Sequence, residues 1–394
     1  MSLPTSLIQQ ATNLLSTTVG TQIEISRSEP VTAGWSGQFE AYPWITHCMI
    51  ESPSSELPAS VIVKVRRPAA SNRSEPFRFD HERAALAFLT MRGCAAGPRL
   101  LAADDDMLIM EDLGSGPSLE DLLVGSDPIA AEQGLVAFAT ALGRMHASTS
   151  GHAGEYYQVR SRFGPIDPAF DRISILDIGI EHAWKQWKQI AGERSYLPAP
   201  DAKGIEQDIA ELLTVLAEPG PLLAFSNGDT CPANCRFSDA ELRFLDFEHA
   251  AFRHALLDVA ALRFPFPACG CWSRLPLEVS LRAEAAYREQ MTHSCPDVLD
   301  EAPYAHGLTV ACAAWTIVRL QRLPKLERTD KLHPLHFSQR GQLLDTIAIT
   351  LSCAQQSHSL PSFVSWLASV NAALRARWPH LATSQPLYPA FQQE

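Results

Sequence analysis

At positions 229, 234 and 246 this chain places a carboxylate, a carboxamide and a second carboxylate: Asp229, Asn234 and Asp246. They stand in Phe225-Ser-Asn-Gly-Asp229-Thr-Cys-Pro-Ala-Asn234 and in Leu242-Arg-Phe-Leu-Asp246-Phe-Glu-His-Ala250. Residues 222–225 and 242–245 are short apolar runs of β-prone type, which predicts two strands flanking a polar loop. Hard oxygen donors gathered by such a loop suit Mg²⁺. A carboxylate left over can orient an attacking hydroxyl or accept its proton. The rest of the fold therefore has to hold this loop still and bring something to it.

The bulk properties narrow the partners. A chain of 394 residues with 46% apolar composition can bury one large core or two ordinary ones. Its net charge of −12 argues against non-specific nucleic-acid binding and against an anionic membrane surface, and it suits a cationic small molecule. The nine cysteines are odd in number and follow no repeated pattern, which reads as free thiols in a reducing cytoplasm. Neither Cys231 with Cys235 nor Cys269 with Cys271 has a second pair or a histidine cluster, so zinc is not expected. Residues 1–15 lack the basic start and apolar core of a signal peptide. The longest apolar run, 307–318, is too short to span a bilayer and reads as a buried helix.

The first hundred residues read as strand-rich. A short helix is expected over 6–18 and a strand over 22–26. Gly34, Ser36 and Gly37 then form a turn between two strand candidates. Such a turn is commonly an ordinary hairpin, although glycines there also let backbone N–H groups approach a phosphate. Lys64 sits within the β-branched run Ser60-Val-Ile-Val-Lys64-Val, where a lysine ordinarily faces solvent. Residues 79–89 make an amphipathic helix whose first turn carries Glu82; that carboxylate favours a helix N-terminus and can also reach back to a strand lysine. Strands over 99–103 and 106–110 lead into Met110-Glu111-Asp112-Leu113-Gly114, where composition shifts to Gly, Ser and Pro. The domain boundary is placed here, giving 1–111 and 112–394.

The remainder reads as helical. Ser118 is an N-cap candidate, and 128–147 form a long helix ending at His146, read as a packed or capping histidine. Residues 148–168 read as a loop or substrate-side excursion. Residues 176–190 read as a helix whose Trp184 and Trp187 belong to the core. Further helices are expected over 201–216, from 251 onward with Asp258 as a structural acceptor, and over 281–291, 304–320, 336–353 and 361–375.

Taken together, Asn227-Gly-Asp229 through Asn234, Leu245-Asp246-Phe-Glu248, Leu257-Asp258-Val-Ala, Lys64, Glu82 and Leu108-Ile-Met-Glu-Asp-Leu113 resemble the aminoglycoside phosphotransferase and choline kinase-like family, over roughly residues 30–265. The resemblance implies an α+β, two-lobed protein-kinase-like fold. A small antiparallel β-sheet lobe with one main helix would bind the nucleotide, and a larger, mostly helical lobe would carry the catalytic loop and substrate pocket. It implies Asp229 as catalytic base and Asn234 and Asp246 as Mg²⁺ ligands. Lys64, paired with Glu82, would contact the α- and β-phosphates, with Gly34, Ser36 and Gly37 covering them. Met110, Glu111 and Leu113 would line the adenine site. The activity implied is transfer of the terminal phosphate of ATP or GTP to a hydroxyl of an amino sugar, antibiotic, amino alcohol or sugar. Two departures stand out. Asn227 occupies a position that is usually histidine in the family, and the glycine turn is sparse. The first of these keeps open a nucleotide-binding pseudokinase acting as a regulatory module.

Overall fold

Alternation of apolar residues along residues 60–65 sets the geometry of the first part of the molecule. In a computed structural model, which describes residues 4–35, 38–51, 57–67, 76–200, 202–238, 241–264, 266, 273–330, 332, 337–381 and 385–392, Val61, Val63 and Val65 turn inward from one strand. Lys64 therefore points to the opposite face, as the two-residue period of a strand requires. The chain clusters into two compact units. One comprises 1–116, 154–166 and 236–249; the other comprises 117–153, 167–235 and 250–394.

The first unit is built on a five-stranded antiparallel sheet. Its strands are β1 (Ile25–Trp35), β2 (Gln38–Ile50), β3 (Ser60–Val65), β4 (Leu100–Ala103) and β5 (Met107–Glu111), in the order β1-β2-β3-β5-β4. Helix α1 (Thr5–Val19) lays Ala11 and Leu15 against the apolar face with Val61, Val63, Met107 and Ile109. Helix α2 (Pro76–Met91) serves the other face and buries Phe79, Ala84, Leu86, Phe88 and Leu89. The unit is completed by the strand pair Cys235–Ser238 and Glu241–Phe244.

A segment expected to be a loop also belongs here. Residues 148–168 contain a helix, Ala153–Arg160, that buries Tyr156, Tyr157, Val159 and Arg160. Tyr156 meets Phe88 edge-on with ring centroids 5.6 Å apart, and Arg83 lies over the Phe163 ring at 4.4 Å. Packing of these aromatics, worth about 1 kcal/mol per pair beyond burial, supplies a helix that its weak amphipathic pattern does not announce.

The second unit is mostly helical. Ser118 caps Leu119–Leu123 in a full capping box with Asp121. Asp127 caps Pro128–Thr149, with Pro128 in the first turn. This long helix crosses Leu277–Met291 at Gly143, where a Cβ would stand 2.8 Å from the Tyr287 carbonyl oxygen. Glycine there permits the close approach. Helix Glu301–Leu320 is buried without interruption from Gly307 to Leu320, as the apolar run predicts. Trp184 and Trp187 are core residues; both meet Trp366 edge-on, at 5.3 and 6.0 Å.

Two boundaries differ from expectation. The helix expected from residue 176 begins at Ile180, after a tight hairpin that pairs Ser174–Ile175 with Ile178–Gly179. Leu176 and Asp177 form its tip with φ of 50° and 63°, a conformation that apolar periodicity cannot reveal. The helix expected from residue 251 begins at Leu256. Ala251–His254 is instead a fully buried strand pairing antiparallel with Leu223–Ser226. A short, wholly buried run has no polar face to betray its period. Glu241–Phe244 pairs with Cys235–Ser238, so the two runs flanking the polar loop are both strands but lie in different sheets. The α+β expectation holds: a small antiparallel sheet with one main helix, then a larger helical part. Among the described residues no helix is long and apolar enough to cross a membrane.

Candidate active site

In the first unit, β3 delivers Lys64 and α2 delivers Glu82. Their side chains form an ion pair and are only 11% and 4% exposed. Asp246 joins them from the segment after Glu241–Phe244, with its Oδ1 3.5 Å from Lys64 Nζ. Burial alone would lower the lysine pKa, but the carboxylates of Glu82, Asp246 and Glu248 override it and raise the value, so the ammonium stays charged. Asp246 keeps 37% of its side chain exposed and adopts φ of 58°, a left-handed conformation that carries a cost for a residue with a Cβ. Strain of this sort persists where surrounding structure enforces it.

Glu248 is a residue that sequence reasoning quotes but gives no role. It lies two positions beyond Asp246, contributes to the field on Lys64, and pairs with Arg78 of α2 at 3.3 Å. Its spacing from Asp246 is the available signal.

The stretch after Leu108-Ile-Met runs on from β5, whose Lys64↔Leu108 and Val61↔Glu111 register places it beside β3. Met110 and Leu113 are buried. The Glu111 side chain accepts from Arg99 N at 3.1 Å and from Arg243 Nη1 at 2.8 Å, so it acts within the protein. Asp112 accepts from Ser60, His47 and Gly114 N, and these bonds hold its carboxyl below the usual range against the effect of burial. Gly34 pairs with Phe39 within the β1–β2 ladder. Ser36 and Gly37 lie outside the described residues.

In the second unit, the loop after Leu223–Ser226 carries Asp229 and Asn234, both half-buried. Its turn is made by Gly228 at φ of 80°. Three groups converge on the Asp229 carbonyl oxygen: Cys231 N at 2.7 Å, Asn227 Nδ2 at 3.2 Å and Asn234 Nδ2 at 3.3 Å. Asn227 thus serves as a hydrogen-bonding support for the loop. Because the Asn234 amide nitrogen is committed to Asp229, its Oδ1 is the atom left for a hard cation.

Asp258 anchors this loop from below. It accepts from Ser226 Oγ at 2.9 Å and Thr230 Oγ1 at 3.2 Å, while Ser226 Oγ accepts from Gly228 N at 2.9 Å. His146 bonds Asp258 at 3.1 Å and the Tyr287 hydroxyl at 2.9 Å, all three being buried. Burial, with Asp258 nearby, pushes the Tyr287 hydroxyl well above its usual pKa, so it stays protonated. The structural readings of His146 and Asp258 are therefore correct.

Arg319 is the other residue that sequence reasoning misses. It ends helix Glu301–Leu320, is 4% exposed, and its guanidinium feels the carboxylate of Asp229. A lone arginine in an apolar run gives no sequence signal of such a partner.

The thiol expectation needs one correction. Among the described residues Cys48, Cys94, Cys235, Cys295, Cys312 and Cys353 carry unbridged thiols, but Cys231, in the Asp229 loop, is disulfide-bonded.

No family model and no curated protein matches this sequence. Solved structures do. A choline kinase from Cryptosporidium parvum Iowa II is 13% identical, covering 89% of this chain and 94% of that one, with a TM-score of 0.46. A putative fructosamine-3-kinase from Thermobifida fusca YX-ER1 is 16% identical, covering 94% and 99%, with a TM-score of 0.42. The streptomycin–ATP–APH(2")-IIa ternary complex is 13% identical, covering 81% and 99%, with a TM-score of 0.44.

Proposed function

We propose that this protein is a Mg²⁺-dependent phosphotransferase that moves the terminal phosphate of ATP or GTP to a hydroxyl of a small molecule. The observation that carries the reading is the buried Lys64–Glu82 pair with Asp246 3.5 Å from the ammonium. A structural ion pair does not need a third carboxylate, partly exposed and on a strained backbone; a phosphate-binding lysine beside a metal-binding aspartate does.

On this reading residues 1–111 bind the nucleotide, and 112–394 supply the catalytic loop, metal ligands and acceptor pocket. Lys64 binds the α- and β-phosphates and Glu82 fixes its position. Gly34, Ser36 and Gly37 cover the phosphates through backbone N–H groups. Met110 and Leu113 contribute apolar contact and backbone groups to the adenine, with Glu111 shaping that segment. Asn234 and Asp246 offer the hard oxygens that suit Mg²⁺, which when bound would neutralise phosphate charge. Asp229 orients the acceptor hydroxyl and accepts its proton. Positioning and electrostatics supply the rate enhancement. Among the described residues six unbridged thiols suit a cytoplasmic setting, while the disulfide at Cys231 does not.

The test is a screen of the purified protein with Mg²⁺ and ATP or GTP against amino sugars, amino alcohols, sugars and hydroxy acids. Transfer that is lost in Asp229→Ala supports the reading. Absence of transfer and of nucleotide hydrolysis in wild type sinks it in favour of a nucleotide-binding module.

A further inference from the structure

Two helices of the second unit, Glu301–Leu320 and Gln339–Ser357, bring two thiols together. Thr309 bonds Ser357 at 2.9 Å, and Thr316 bonds Thr350 at 2.8 Å, so the helices pack antiparallel along this face. Cys312 lies between Thr309 and Thr316, and Cys353 lies between Thr350 and Ser357. Residues three and four apart share a helix face, so this register sets Cys312 opposite Cys353. Thr350 Oγ1 also donates to the Cys312 carbonyl oxygen at 3.3 Å, and the two thiols share a hydrogen bond in which Cys312 donates.

Cys353 faces more than its partner thiol. It lines a cavity of about 190 Å³ together with the ion-paired Arg263 and Glu284. For comparison, an apolar cavity of roughly 150 Å³ holds a benzene molecule. Leu281, Glu301 and Gln356 also line the space and are exposed, so it opens to solvent. Cys312 is fully buried and does not take part in the lining. The hydrogen bond from Cys312, with the Arg263 guanidinium, holds the Cys353 thiol below its usual pKa against burial and the charge of Glu284. Burial and the bond to Cys353 push the Cys312 thiol well up. Elsewhere burial only raises thiols, as at Cys295 and at Cys48, which is pushed up to about 11. Buried cysteines ordinarily pack as small hydrophobes. A packing role asks for neither a cavity nor a guanidinium beside the sulfur.

We infer that Cys353 and Cys312 form a peroxide-reactive dithiol: a hydroperoxide entering the cavity oxidises Cys353, and Cys312 resolves the product to a disulfide. The Cys353 thiolate attacks one peroxide oxygen. An S–O bond forms, the O–O bond breaks, and the departing hydroxide leaves as water with the proton that Cys353 released. The Cys312 sulfur then attacks the sulfenic sulfur. An S–S bond forms, the S–O bond breaks, and the hydroxyl leaves as water with the Cys312 proton. The sulfurs give up two electrons and the peroxide is reduced to water. A dithiol reductant restores both thiols by exchange. This chemistry is independent of the phosphotransferase reading.

The experiment exposes the full chain to a small excess of hydrogen peroxide, alkylates the remaining thiols with N-ethylmaleimide and maps the peptides by mass spectrometry. A Cys312–Cys353 cross-link should form first, roughly ten-fold faster than oxidation of the more exposed Cys94. Dithiothreitol added afterwards should remove it. In Cys312→Ser the sulfenic acid on Cys353 should persist and be trapped by dimedone. In Cys353→Ser, Cys312 should stay reduced. The wild-type map needs no variant, so the inference stays testable where serine costs stability. Oxidation of Cys94 or any other thiol ahead of Cys353 overturns the inference. So does conversion of Cys353 to a sulfinic acid with no bond to Cys312.

Discussion

Lys64 Nζ lies 3.5 Å from Asp246 Oδ1 while it pairs with Glu82, so a single ammonium ties β3 to α2 and to the segment following Glu241–Phe244. The two carboxylates differ in environment: Glu82 is 4% exposed and Asp246 37%. On the proposed reading, that difference separates a supporting role for Glu82 from a ligand-facing one for Asp246.

Removing the lysine should therefore cost stability through Glu82. Lys64→Met leaves a buried carboxylate without its cation, a change that typically costs about 3–5 kcal/mol. Adding Glu82→Leu should recover part of the loss. Denaturant titration of the two single variants and the double variant measures the coupling. Additive effects would show that the pair contributes nothing of its own.

Asp246→Ala should leave stability nearly unchanged and weaken Mg²⁺-dependent nucleotide binding at least ten-fold. The side chain is partly exposed, and its loss relieves the electrostatic demand on Lys64 only in part, since Glu82 and Glu248 remain. Nucleotide titrations with and without Mg²⁺ read this directly; an affinity that keeps its metal dependence in the variant would remove Asp246 from the ligand set.

For Asp229→Ala the expectation is loss of phosphate transfer by at least a thousand-fold with nucleotide affinity held within about three-fold, consistent with the usual weight of a positioned acid–base group and its orienting contacts. The loop itself should survive, because Asn227 and Asn234 bond the Asp229 backbone carbonyl, not its carboxylate. Transfer by the variant at the wild-type rate would exclude the proposed role.

Much of this arrangement is legible in sequence because it is local. Lys64 lies in an alternating strand, and Asp229 and Asn234 on one loop; Glu82 is on the expected helix, but that helix starts at Pro76, so the carboxylate is not in its first turn as expected. The alternation of β3 and the polarity of that loop are visible in the residues themselves. What sequence does not reveal depends on distant partners. Ala251–His254 is a strand because Leu223–Ser226 pairs with it, and Ala153–Arg160 is helical because Phe88 and its neighbours receive its aromatics. Arg319 looks like the polar end of an apolar helix until its burial and unpartnered donors are seen.

Asp258 offers a test of the support beneath the Asp229 loop. Asp258→Ala would strand Ser226, Thr230 and His146, three groups that it now bonds. Each buried polar group left without a partner costs about 1–3 kcal/mol, so a loss of about 3 kcal/mol or more is expected. Asp258→Asn should cost less, since its carbonyl still accepts. Thermal melting ranks the two; equal and small effects would mean that the loop is held by other contacts.

Acid stability should be governed in part by His254. The ring is buried, accepts from Leu256 N at 3.3 Å, and has its pKa lowered to about 4 by burial and by the nearby His306. A depressed pKa means that the folded state holds the proton less tightly than the unfolded chain. The stabilisation is thus fully present above about pH 6.5 and is lost as pH falls through about 4. The shift sets an upper bound of about 3 kcal/mol on the change. Asp345 acts in the opposite sense: burial raises its pKa to about 6, so the folded state gains relative stability as pH falls through that value. His254→Asn, which cannot take up a proton, should leave only the Asp345 contribution of the two. Chemical denaturation between pH 7 and pH 4 should then show a shallower decline in the variant than in wild type. Parallel curves would mean that His254 is not the group whose protonation drives acid unfolding.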